Sequence, residues 1–318
     1  MAQVAHEVQQ HLKVLEEIRH LLRSIRAMSA IRWRRARARL RSAQQYAGAV
    51  DEQLALVTTL PTPLTRGAHR HVGGSGPGAG GSMGLIALTS DRGLCGTFNV
   101  GLVAQALDFI EREREKGGQI KVIALGGYGE RFFRAAGCEL LYTQHFPLTH
   151  AVSFIEARDI VAKVKRLYEA RTFNTLYLIY NQFVSFGRYQ RVEMRLLPPD
   201  LNSIWRQARQ AAGDGRAVVP EDLILGTPPQ DLQDFLLWEH LAVQVYLGLI
   251  ESMVSEHGAR LQTMDAAITN LDERMDQLWL QYHAIRQEGI TRQVLEVQSN
   301  TQAKYHRRAI QVRDRLVN

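Results

Sequence analysis

Residues 33–57 read WRRARARLRSAQQYAGAVDEQLALV. Going up from Trp33, apolar side chains fall at Ala36, Leu40, Ala43, Ala47, Val50, Leu54 and Val57, in alternating steps of three and four. Far downstream the same beat returns at Leu261, Met264, Ile268, Leu271, Met275, Leu278, Tyr282 and Ile285. An apolar repeat of seven held this long drifts from the straight-helix period of 3.6, so it favours a left-handed supercoil with a partner helix. The two ends of the chain are expected to partner each other. One helix runs into the middle of the chain and the other runs out of it, so packing side by side makes them antiparallel. At about 1.5 Å per residue, an arm of roughly sixty residues spans on the order of 90 Å.

Bulk properties narrow the class. A chain of 318 residues with 45% hydrophobic content has enough apolar material for one or two packed domains. No apolar run reaches the eighteen or so residues of a membrane span. The opening residues carry Glu7, Glu16 and Glu17 without a hydrophobic signal segment, so neither export nor transit is expected and a bacterial cytoplasmic setting follows. Cys95 and Cys138 stand alone, with neither metal-ligand spacing nor a disulfide framework, and read as reduced thiols. No metal and no cofactor is expected.

The net charge of +7 is unevenly distributed. Arg19, Arg23, Arg26, Arg32, Arg34, Arg35, Arg37, Arg39 and Arg41 follow one another with no acid between them. Such a helix suits a nucleic-acid groove, a solvated face or an acidic protein surface. Met28, Ile31 and Trp33 interrupt the strip, so it is not purely charged.

Pro61 and Pro63 stop the first helix, because proline lacks the amide donor and disfavours helix before it. The glycines of residues 69–84 then read as a linker, without the lysine and hydroxyl of a phosphate loop. Beyond it, Leu85 to Thr89, Ile120 to Leu125 and Thr175 to Tyr180 read as buried strands. Val103 to Glu115, Phe132 to Ala136 and Ile155 to Ala170 read as helices between them. Tyr189 to Leu196 adds an antiparallel edge turned at Gly187. The fold class is therefore α/β: a central open Rossmann-like sheet domain plus a long antiparallel coiled coil of the terminal helices. The expected divisions are 1–60 for the first helix, 61–84 for the linker, 85–215 for the sheet domain, 216–303 for the last helix and 304–318 for an extension.

After the first strand stand Thr89, Ser90, Asp91, Arg92, Gly93, Leu94, Cys95, Gly96, Thr97, Phe98 and Asn99, which resemble the signature of the gamma subunit of F-type ATP synthases. Ser255-Glu256-His257-Gly258-Ala259-Arg260, Met264 to Ala267, Asn270, and Tyr282 through Arg286, Gln287, Ile290 and Thr291 resemble that family's last helix. The resemblance implies a non-catalytic central rotor, its paired helices inside a ring of alpha and beta subunits. Its sheet domain would rest with epsilon on the c-ring of the membrane sector. It further implies a peripheral place on the cytoplasmic face of the bacterial inner membrane, with no span of its own and no nucleic acid. Met28, in the family's Ala-Met pair, would face the acidic lever of beta, and Arg286 with Gln287 would grip a beta loop through the guanidinium fork. Asp91, Arg92, Gly93, Cys95, Gly96 and Asn99 carry the sheet-domain signature. Departures from the family pattern point to a divergent or alternative F-type branch. They include Thr97 in place of the signature's second glycine, and Arg32, Trp33 and Arg34 where small residues are usual, bulk that would widen the helix pair.

Two other classes fit parts of the chain. Gly126-Gly127-Tyr128-Gly129 after a strand suggests a nucleotide-dependent enzyme, although the spacing is not that of a dinucleotide fingerprint. The basic coiled coil suggests a nucleic-acid binder. On the resemblance, Arg32, Arg34 and Arg35 would meet the acidic levers of beta through Coulomb contacts that tolerate sliding. Neutralising the three together is then expected to impair assembly or coupling. A variant complex that assembles and pumps like its parent would remove that role.

Overall fold

The computed structural model describes residues 2–59, 81–146, 152–201, 203–204, 206 and 226–317. The elements in chain order are α1 (Ala2–Thr59), β1 (Ser82–Leu88), α2 (Phe98–Glu115), β2 (Gln119–Leu125), α3 (Gly127–Ala135) and β3 (Glu139–Gln144). They continue with α4 (Phe154–Glu169), β4 (Thr175–Ser185), β5 (Arg188–Leu197) and α5 (Pro229–Val317). Most of the expected linker, and residue 216 where the last helix was expected to begin, lie outside the described residues. The described helix opens instead on Pro229, a residue suited to a first turn whose amide needs no partner. Of residues 304–317 only the backbone is described, and it is helical.

The chain divides into two compact units, Met1–Ala27 with Met264–Asn318, and Met28–Thr263. In the first unit Leu12 is buried with Met275 and Leu278, flanked by Val8, Leu15, Leu271 and Tyr282. The pairing is antiparallel: Arg19 bonds Asp272 at 3.3 Å, and seven residues further up Arg26 bonds Asp265, seven residues further down. The seam read from Trp33 upward thus has a counterpart nearer the chain start, where the valine and leucine spacing of 8, 12 and 15 keeps the same step.

In the second unit the sheet runs β3-β2-β1-β4-β5, parallel except for β5, which pairs antiparallel with β4. Parallel strands covered on both faces must be apolar throughout, and β1 is buried from Met83 to Leu88. One face carries Leu85, Ala87, Val122 and Ala124 against Leu102, Ala106 and Phe109 of α2 and Phe133 of α3. The other carries Ile86, Leu88, Ile123 and Leu178 against Ile160 and Val164 of α4, Leu241 and Val245 of α5, and Leu54 and Val57 of α1. Gly248 lets α5 lie close on this face, since a Cβ there would come 3.1 Å from Leu178 and 3.2 Å from Leu88. Within the same unit Ala36, Leu40 and Ala43 of α1 bury against Ile250 and Val254 of α5. Asp51 meets His240 at 2.6 Å.

Helix α4 begins with a capping box, Ser153 and Glu156 each bonding the other's backbone amide. Strand β3 is an addition to the sequence reading, and β1 starts at Ser82 rather than Leu85. Gly84, read as linker, is a strand residue: a Cβ there would fall 2.8 Å from Leu176 and 3.1 Å from Phe173. Leu54 is fully buried, so Leu54→Ala should cost about 2–5 kcal/mol. Leu280→Ala, at a position 73% exposed, should change stability by less than about 0.5 kcal/mol. Urea denaturation of the two full-length variants checks the contrast.

Candidate functional site

The eleven-residue signature forms the turn from β1 into α2. Asn99 organises it from the first turn of α2. Its side-chain oxygen accepts from the Ser90 amide at 2.9 Å, while its Nδ2 donates to Ser90 Oγ at 2.7 Å and lies 3.3 Å from Cys95 Sγ. Ser90 Oγ donates onward to the Arg92 carbonyl. Cys95 and Phe98 are buried with Ala259 of α5, and Phe98 meets Tyr189 edge to face at 5.5 Å. Burial pushes the Cys95 thiol up, and the Glu256 carboxylate pushes it the same way. It is a packed, protonated thiol rather than a nucleophile. Burial likewise raises Cys138, and both cysteines are free.

Thr97 has an ordinary φ of −83°, so nothing at that position requires a glycine. Within this loop the left-handed residues are Leu94 at φ 63° and Gly96 at φ 59°.

Arg260 of α5 clamps the loop. Its side chain is nearly inaccessible and bonds Glu256 at 2.7 Å, the Gly93 carbonyl at 3.3 Å and the Arg92 carbonyl at 3.5 Å. It also lies 3.3 Å from His257 Nδ1. With a permanent donor on that nitrogen, the imidazole sits as the tautomer protonated on Nε2. Burial lowers the His257 pKa to about 3, and the Arg260 and Arg32 charges act in the same direction. Burial raises Glu256, against the pull of Arg260. The sequence reading quoted these residues only as family motif. An acid and a cation four apart on a helix read as a surface pair, and their burial follows from a loop far away in sequence.

Asp91 answers the enzyme reading directly. Its Oδ1 accepts from the Gly127 amide at 2.7 Å at the N-terminus of α3. The Tyr128 amide donates to the Ser90 carbonyl at 3.0 Å, the Gly129 amide to Thr89 Oγ1 at 2.9 Å and the Gly126 amide to the Gln144 carbonyl at 2.8 Å. A nucleotide phosphate uses such amides and the positive helix end. Here the chain's own carboxylate and hydroxyl hold them. At Gly126, φ 112°, an added Cβ would fall 2.1 Å from the Thr89 carbonyl oxygen.

The remaining sequence-derived residues lie elsewhere. Met28 is 47% exposed on α1, and Arg34 and Arg35 are exposed without an acid partner among the described residues. Arg32 differs from them. It is half-buried and lines a small cavity with Glu256 and His257, where burial and the Arg260 charge lower its pKa against the pull of Glu256. Trp33 also turns inward. It meets Phe186 edge to face at 5.1 Å, and its Nε1 lies 3.5 Å from the Cβ position of Gly258. Its bulk is absorbed beside the β4–β5 turn. Arg286 and Gln287 are exposed on α5 in the other unit, with no side-chain partner among the described residues. No cluster of His, Cys, Asp or Glu suited to a metal occurs among the described residues. None of the described helices is long and apolar enough to cross a membrane.

Long terminal helices and an α/β sheet whose α3 N-terminus is filled by the chain's own Asp91 make up the fold. The ATP synthase family model matches residues 5–303. The ATP synthase gamma chain of Desulforudis audaxviator is 29% identical over 301 residues, covering 92% of this chain and 96% of that one. That of Geobacter sp. strain M21 is 29% identical over 302 residues, covering 93% and 97%. Among solved structures, the rotor of the Euglena gracilis mitochondrial ATP synthase superposes with a TM-score of 0.59 at 15% identity, covering 91% of this chain and all of that one. The central stalk and c-ring structure of the Tetrahymena thermophila enzyme gives a TM-score of 0.56 at 19% identity, covering 78% and 99%. The chain belongs to the ATP synthase family, among its gamma chains.

Because His257 is neutral when folded, the unfolded chain binds the proton first as pH falls. The stability it supports is complete above about pH 6.5 and is lost progressively toward about pH 3. Native stability should fall below pH 6.5 with a contribution from this group approaching about 1.4 kcal/mol per pH unit. His257→Gln should flatten that slope in urea titrations at pH 7, 6, 5 and 4.

Proposed function

We propose that this chain is the non-catalytic central-stalk rotor subunit of an F-type ATP synthase. It passes rotation of the ion-driven membrane ring to the alpha and beta catalytic sites as ATP is made or hydrolysed. The observation that carries the reading is the antiparallel pairing of the two chain ends, seen in the Arg19–Asp272 and Arg26–Asp265 rungs, together with the family match over residues 5–303.

A rotor biases its neighbours only if it is asymmetric, since equal contacts with every site shift none of them. The exposed Arg34 and Arg35 on one helix, and Arg286 with Gln287 on the other, supply such one-sided contacts. In this reading Met28, Arg34 and Arg35 meet acidic elements of beta, and Arg286 with Gln287 hold a beta loop. Arg32 acts less directly, through Glu256 and Arg260. Asp91, Arg92, Gly93, Cys95, Gly96 and Asn99 hold the sheet domain to α5 rather than touching substrate. Helices α1 and α5 serve as the shaft, and the strands from Ser82 onward build the sheet domain. Alpha and beta surround the paired helices, while epsilon and the c-ring take the sheet domain. The complex lies at the cytoplasmic face of the bacterial inner membrane, where this chain is a peripheral subunit.

A tagged full-length chain purified from native membranes in mild detergent should bring down alpha, beta, epsilon and ring subunits with ATP hydrolysis activity. The chain alone should hydrolyse nothing. Recovery of a homogeneous monomer with its own activity would overturn the proposal.

A further inference from the structure

Strand β4 outruns the sheet. Its pairing with β1 covers Thr175 to Ile179, whereas its pairing with β5 continues from Tyr180 to Ser185. Beyond Ile179 the ladder is therefore a two-stranded arm, about six residues or roughly 20 Å long at about 3.3 Å per residue. A two-stranded ribbon is marginal by itself and needs a surface to lean on. Helix α5 supplies one along the arm's length. Glu251 is hydrogen-bonded to Tyr180 and Gln182, and Phe183 packs on the cluster that holds Ile250 and Val254. At the turn the backbones almost touch. A Cβ on Gly258 would come 3.3 Å from the Gly187 amide nitrogen, and one on Gly187, at φ 70°, would collide with the Gln262 side chain.

Helix α1 reaches the tip of the arm through Trp33. The indole meets Phe186 edge to face at 5.1 Å, with the ring planes 89° apart. Arg37, one turn further on, places its guanidinium 5.1 Å from the centre of the same indole. The indole N–H is buried and has no acceptor among the described residues, so the ring contributes surface and shape at this joint rather than a hydrogen bond. Such ring pairs are directional, and Phe186 remains 48% exposed. The sheet domain is thus tied to α1 at two levels, by Leu54 and Val57 against the sheet face and by Trp33 against the arm. Between Leu54 and Trp33, α1 rises roughly 30 Å at about 1.5 Å per residue. A body pinned to a rod at one level can rock about that point. Pinned at two, it turns only with the rod.

We propose that the contact of Trp33 with Phe186 is a brace that makes the sheet domain and the shaft helices turn as one body, and that Trp33 is a positioning residue for rotary coupling. The inference rests on the rotor reading, because a brace matters only where torque enters at the sheet domain and leaves at the helices. What the brace supplies is stiffness. Without it the arm leans on α5 alone, its tip opens more often, and part of each turn is spent rocking the sheet domain instead of advancing α1.

Two measurements separate the brace from the rotor reading. In the full-length chain alone, Trp33→Ala should speed hydrogen exchange of the backbone amides from Gln182 to Gln190 about tenfold, while those of Leu85 to Leu88 stay unchanged. In the purified complex, whose recovery with the parent chain tests the rotor reading beforehand, Trp33→Ala and Phe186→Ala should each leave ATP hydrolysis running while the ions pumped per ATP fall about fivefold or more. The double variant should pump no worse than either single one, because the two rings act as a unit. Trp33→Phe keeps a ring and should hold both readouts near the parent, whereas Trp33→Leu, apolar but without a ring, should behave as Trp33→Ala. Unchanged exchange at the arm overturns the proposal, as does parental pumping per ATP in a chain whose arm has been loosened. So does Trp33→Leu matching the parent, or loss of assembly in Trp33→Ala and Trp33→Leu alike, since a brace acts only after assembly.

Discussion

A single buried guanidinium organises the second unit. Arg260 is shut away from solvent and serves acceptors on its own helix, Glu256 and His257, and on the signature loop, the carbonyls of Arg92 and Gly93. The net worth of a buried ion pair is modest, but removing one partner strands the other charge and costs about 3–5 kcal/mol. The constraint is therefore stiff: the loop cannot leave α5 without taking from Arg260 two carbonyl acceptors, those of Arg92 and Gly93. Several things depend on the loop staying there. Asn99 can bond Ser90 and Cys95 only with the turn closed, and Asp91 reaches the Gly127 amide only from the closed turn.

The polar groups of the signature loop bond one another, Arg260 and the Gly127 amide. A working active site keeps reactive groups poised and partly unsatisfied in a cleft. Here the helix end that would cradle a phosphate is occupied, the Cys95 thiol is protonated, and His257 stays neutral across the physiological range. Exposed arginines without an ion-pair partner among the described residues include Arg34 and Arg35 of α1 and Arg188 and Arg191 of β5. That division suits a subunit that works by being touched.

The seam was legible because a heptad repeat needs nothing but apolar spacing. Ala36, Leu40, Ala43, Ala47, Val50, Leu54 and Val57 are all buried. The three inner parallel strands were legible for a related reason, being apolar on both faces. Strand β3 was not, because ELLYTQ lies at the sheet edge with every residue at least partly exposed, so no alternation marks it. Gly84 was misassigned because a glycine needed for lack of space, beneath Leu176 and Phe173, looks like one chosen for freedom. The nine arginines read as a uniform strip, yet Arg19 and Arg26 pair with aspartates of α5, Arg39 bonds the Val152 carbonyl and Arg32 faces Glu256 and Arg260. Which arginines remain outward depends on partners that composition does not reveal. The signature was legible as a motif, but its job as a closed turn was not, because the clamp comes from residues far downstream.

The matched rungs of the first unit also restrict how such a chain can change length over evolution. Going from Arg19 to Arg26 advances one heptad on α1, while going from Asp272 to Asp265 retreats one heptad on α5. An insertion of one or two codons between Arg19 and Arg26 would rotate every later seam residue of α1 away from its partner. Only a whole heptad keeps the seam facing its partner, and the rungs stay level only if the other end of the gene, between the codons for Asp265 and Asp272, gains one too. Indels in the two terminal segments are thereby expected as matched whole heptads, a linkage between opposite ends of a reading frame imposed by helix geometry alone.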